Sequence, residues 1–194
     1  MIYEGLPDQA LKVLLTHFDK QKSNYDYLML LAKASSKAGE FQTAVGAYYR
    51  AHKLRPQSRH GRQALFHAAF LSYQFQDYDG ATRKFQQFVE MYKRSGLQRD
   101  ALWHLAWLHY LKGDYQVSVI GLNDILKQKK RHGRRWRKFS TEKIKYWLAM
   151  SYLRLKQYDR ARQIFITLAT NRLMDLYSQT ARFRLEDLPA DTDG

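Results

Sequence analysis

The chain has 194 residues, no cysteine and a formal net charge of +15. Without cysteine there is no disulfide scaffold, thiolate metal site or cysteine nucleophile, and no apolar run reaches the roughly 18 residues that a membrane span needs. A charge of this size on so short a chain points to an anionic partner or surface.

In chain order, the opening Met1–Pro7 lacks the basic start and apolar run of a signal peptide. The spacing of Leu6, Ala10 and Leu14 predicts a half-repeat over residues 1–24, and a lone half-repeat leads us to expect a chain truncated before it. Apolar residues then recur three and four apart. They predict helices over 7–18, 25–38, 41–54, 62–75, 78–92, 98–112, 115–128, 142–155, 158–170 and 173–185. One register returns along them: Gly39-Glu40-Phe41 with Ala44, Asp77-Tyr78 with Ala81, Gly113-Asp114-Tyr115 with Ser118, and Gln157-Tyr158 with Ala161. Ala10, Ala44, Ala81, Ser118 and Ala161 are separated by 34, 37, 37 and 43 residues. A period near 34 marks stacked helix–turn–helix units. Gly39 and Gly113 stand where a helix must end and reverse, and Pro56 stops the helix before it. Ala32, Ala69, Ala106 and Ala149 share one position in the first helices, and small residues there let helix axes approach closely.

This pattern resembles the tetratricopeptide repeat family in four units, 25–58, 62–95, 99–128 and 142–170. The resemblance implies an all-α, right-handed solenoid with a basic insert at 127–140 and a capping helix and polar tail at 171–194. The third unit departs from the pattern at Ser118 and Leu122. The carboxy-terminal half, with Trp103, Trp107, Tyr110, Gly113-Asp114-Tyr115, Tyr146-Trp147 and Tyr177, is similar to the helical superhelix of soluble lytic murein transglycosylases. That likeness implies a periplasmic accessory module whose catalytic domain is missing; without it the expected location is cytoplasmic. Those enzymes use a glutamate in a Glu-Ser pair, and none of Glu4, Glu40, Glu90, Glu142 or Glu186 precedes serine. The chain is therefore read as non-catalytic, with no cofactor and no metal. His104 and His109 have neither the i, i+4 spacing nor the glutamate of a zinc-protease helix.

Two features remain as candidate sites. Phe66, Phe70 and Tyr73, then Trp103, Trp107 and Tyr110, then Tyr146 and Met150 form stripes on three first helices, the helices that line the concave face in this family. Such stripes either line an open groove or bury one another in a tightly wound superhelix. The second feature is the basic run, where residues 127–138 hold eight of the 33 Lys and Arg and no acid. Lys129, Lys130, Arg131, Arg134, Arg135, Trp136, Arg137 and Lys138 are its anion-binding candidates. The expected partners are, in order, a protein or peptide segment, an anionic cell-envelope polymer such as peptidoglycan, and nucleic acid, for which Trp136 could stack a base.

Overall fold

The computed structural model describes residues 6–131, 141–170 and 175–189. Among them are eleven helices and no strand. They are α1 (Leu6–Thr16), α2 (Phe18–Gln21), α3 (Tyr25–Lys37), α4 (Phe41–Leu54), α5 (Arg59–Gln74) and α6 (Tyr78–Met91), then α7 (Gln98–Leu111), α8 (Tyr115–Arg131), α9 (Thr141–Arg154), α10 (Tyr158–Ala169) and α11 (Leu176–Glu186). The chain forms two compact units, Met1–Ala101 and Leu102–Gly194. In chain order these include the consecutive helix pairs α3–α4, α5–α6, α7–α8 and α9–α10.

Local chemistry sets where these helices begin. Asn24, Ser58, Asp77 and Asp175 each accept a hydrogen bond from the backbone N–H three residues on, at 3.2, 2.8, 2.9 and 2.8 Å. Each satisfies a donor that the first helical turn leaves unpaired. The Ser58 cap explains why α5 starts at Arg59, three residues before its expected start. The ends within each pair are equally regular. Gly39, Gln76, Gly113 and Lys156 all adopt positive φ, between 58° and 84°. Behind three of these turns the next N–H bonds a carbonyl five residues back: Glu40 to Ser35, Asp114 to His109 and Gln157 to Tyr152. Periodicity predicted one helix over 7–18, but the chain breaks after Thr16 into α1 and the one-turn α2.

The basic insert was expected to begin at Lys127, yet α8 continues through Arg131. The backbone of Lys129, Lys130 and Arg131 is thus helical, since nothing in Asp124–Arg131 breaks the preceding helix. Arg134, Arg135, Trp136, Arg137 and Lys138 lie outside the described residues.

Small residues let the helices pack within each unit. Ala32, Ala69, Ala106 and Ala149 are buried, as are Ala44, Ala81, Ser118 and Ala161. In the first unit Leu28, Leu31, Tyr48 and Leu71 cluster with Ala32 and Ala44, with α4 between α3 and α5. In the second, Trp103 and Ala106 of α7 meet Val119 and Leu122 of α8 and Ile144 and Leu148 of α9. A further cluster joins Tyr146, Met150, Phe165 and Ala181. Ser118 replaces alanine without leaving its hydroxyl alone, because Ser151 Oγ lies 3.3 Å away. Among the described residues, no helix is long and apolar enough to cross a membrane.

Candidate functional site

The aromatic stripe divides into core and surface. On α5, Phe66 lies edge-on to Phe85 and Phe88, with centroids 5.5 and 5.7 Å apart, and so joins the packing of the first unit. Phe70 and Tyr73 are partly buried and in ring contact with each other.

On α7 and α9 the division is sharper. Trp103, Tyr146 and Met150 are only 6–7% exposed, which corrects their expected place on an open groove. Trp103 is covered from α8 and α9 by Val119, Leu122 and Ile144. Tyr146 and Met150 are covered by Phe165, Leu168 and Ala181 from α10 and α11. The face that stays partly open consists of Trp107 and Tyr110, joined by Trp147.

These three rings form one ladder. Trp107 stacks on Trp103 at 6.1 Å and 10°, and on Tyr110 at 5.3 Å and 8°. Trp147 meets Trp107 edge-on at 4.3 Å and Tyr110 at 5.1 Å. Parallel and T-shaped ring contacts of this kind hold aromatic side chains in fixed orientation. Two cations border the ladder. Lys143 Nζ sits 3.8 Å from the Trp103 ring centroid, a cation–π contact. Arg154 hydrogen-bonds the Tyr110 side chain, which holds the guanidinium pKa above its ordinary value. Beside them, burial and then the Lys143 charge push the His104 imidazole down to about 4, so it is neutral at pH 7. The face therefore offers flat apolar rings with positive charge at its edges.

Trp147, Lys143 and Arg154 were not among the candidates read from the sequence. Trp147 follows the buried Tyr146 directly, and the helical period left a choice of one residue in phase. No sequence signal could have placed Lys143 over Trp103. Also unforeseen was a hollow of about 730 Å³ in the first unit, lined by Glu40, Phe41, Val45, Gly46, Phe75 and Asp77 among others. No group of three or more His, Asp or Glu able to hold a metal occurs among the described residues.

Residues 71–130 match a family model described as tetratricopeptide repeat, and residues 145–172 match a second model of that description. Over these two segments the chain is similar to tetratricopeptide repeats. No curated protein sequence matches it. Solved structures with the same fold include a kinesin light chain from Podosopora anserina with nearly identical TPR-like repeats. It is 14% identical, with 94% of this chain and 90% of that one covered and a TM-score of 0.62. MamA is also 14% identical, over 93% and 90% of the two chains, with a TM-score of 0.61. BtubC (BKLC) from P. vanneervenii is 13% identical over 95% and 80%, with a TM-score of 0.65. At these identities the likeness concerns the fold alone: all-α, built of tetratricopeptide-like helical repeats.

Proposed function

We propose that the chain is a binding scaffold whose second unit holds a peptide segment on the Trp107–Tyr110–Trp147 ladder. Repeat units of this kind present extended surfaces built from many helices, suited to binding rather than chemistry. The observation that carries the reading is a rigid, partly open aromatic ladder bordered by Lys143 and Arg154. Flat rings grip proline and aromatic side chains, and the two cations favour a segment that also bears carboxylates.

Panning a random peptide library against the protein tests this. The recovered peptides should be enriched in proline, aromatic and acidic residues. They should lose binding to a Trp107→Ala/Tyr110→Ala variant that keeps its helical signal. Peptides without that enrichment, or peptides that bind the variant equally well, would remove the ladder as the site.

A second reading has the same face stack on sugar rings of an anionic cell-envelope polymer, as the accessory module of a peptidoglycan lytic transglycosylase would. The partly exposed aromatic edge and the +15 net charge favour it. Co-sedimentation with purified peptidoglycan, lost in the same double variant, would select it over the peptide reading.

A further inference from the structure

A second charged feature, far simpler in composition than the aromatic ladder, lies in the first unit. A hollow of about 350 Å³ is lined by Arg59, Arg62 and Gln63 from the first turns of α5, and by Arg94, Ser95, Gly96 and Leu97 from the α6–α7 connection. Arg59, Arg62 and Arg94 therefore line one space from two walls, and among the described residues no carboxylate lines it. Arginines gathered around one concavity raise its positive potential, which favours an anion there.

Both walls are anchored. Arg62 Nη1 donates to the Gln57 carbonyl at 3.0 Å, and its guanidinium lies 5.9 Å from the Tyr92 ring centroid. Tyr92 is itself buried and donates its hydroxyl to the Pro56 carbonyl at 2.8 Å. The opposite wall is tied by Ser95, whose N–H donates to Tyr92 O at 2.9 Å and whose Oγ accepts from Leu97 N at 3.2 Å. Between these anchors Gly96 leaves the backbone bare, and a Cβ added there would meet nothing within 4 Å. A ligand can therefore approach the main chain closely.

We propose that this hollow is a binding site for a phosphate-class oxyanion, carried as a phosphomonoester. Guanidinium groups present paired N–H donors that match the oxygens of such a group, and several of them discriminate a dianion from a monoanion. The volume exceeds that of a bare phosphate, which leaves room for the esterified part. The site does not rest on the aromatic ladder and stands or falls separately from it.

The test is a titration followed through the backbone amide signals of Ser95, Gly96 and Leu97. Inorganic phosphate is the first probe, with ionic strength held constant by chloride. The expected result is a saturable shift that acetate does not reproduce. An Arg59→Gln/Arg62→Gln variant should bind at least about tenfold more weakly. If that variant loses its fold, Arg59→Gln alone at its exposed position should still weaken binding measurably. A shift that chloride alone produces, or one of equal affinity in the folded variant, overturns the proposal, as does the absence of saturation. O-phosphoserine then tests the esterified part: binding at least as tight as that of inorganic phosphate supports a phosphomonoester ligand, and clearly weaker binding overturns it.

Discussion

Two glycines inside helices carry opposite meanings. At Gly61 an added Cβ would lie 1.9 Å from the Arg55 carbonyl oxygen, because the α4–α5 connection folds back onto α5 there. His52 reinforces that connection, with its Nδ1 3.2 Å from the Gly61 carbonyl. At Gly46 the same Cβ would meet nothing within 4 Å. Gly61→Ala should therefore destabilise by at least about 2 kcal/mol through overpacking. Gly46→Ala should stabilise by up to about 1 kcal/mol through helix propensity. Urea unfolding of the two variants checks both signs at once. Titration of buried histidines belongs at this scale too. Burial lowers the pKa of His52 and, with Lys143, brings that of His104 from 6.5 to about 4. Below the unfolded value the unfolded chain takes up protons that the folded chain refuses. Stability is thus fully present above about pH 6.5 and lost as pH falls toward 4, with His104 contributing up to about 3 kcal/mol of that loss. His104→Gln should flatten the melting temperature between pH 7 and 4.5 relative to the parent chain.

At the scale of helices, the reversal inside each pair is built on a left-handed residue. Gly39 and Gly113 occupy it at no steric cost, whereas Gln76 and Lys156 hold φ of 61° and 58° with full side chains. Gln76→Gly and Lys156→Gly should each raise stability by about 0.5–1 kcal/mol, the strain relieved less the added freedom of the unfolded chain. Equilibrium unfolding that shows either change to be destabilising would mean the side chain contributes contacts that outweigh the strain. The helix faces divide in a similar way. Trp103→Ala removes a ring packed among Val119, Leu122 and Ile144 and should cost about 3–5 kcal/mol. Trp107→Ala, on the partly open edge, should cost clearly less and weaken ligand binding instead. Melting curves of the two single variants separate core from site.

Over the whole molecule, charge is unevenly spread. Removing the eight cations of residues 127–138 from the +15 total leaves +7. Association with an anionic polymer should weaken steeply with added salt, because bound cations release counterions. Changing Lys129, Lys130, Arg131, Arg134 and Arg135 to glutamine should lower that affinity and its salt dependence without lowering the melting temperature. Binding that is equal before and after these changes would leave the run without a role in association.

Helix positions, the buried alanines and the reversals at Gly39 and Gly113 follow from the amino-acid sequence by itself. Each depends on residues three or four apart or on one backbone preference, and such local rules act the same way in every repeat. The reversals at Gln76 and Lys156 have no such marker, since neither residue type favours positive φ. The tertiary structure alone decided which aromatic residues are core. Trp103 and Trp107 sit one turn apart on α7 with the same chemistry and pack against the same cluster of Val119, Leu122 and Ile144 from α8 and α9, which encloses the first and leaves the second partly exposed at its edge. The arginine hollow is hidden for the same reason. Arg59 and Arg94 are 35 residues apart in sequence, and only the packing of α5 against α6 sets them around one space.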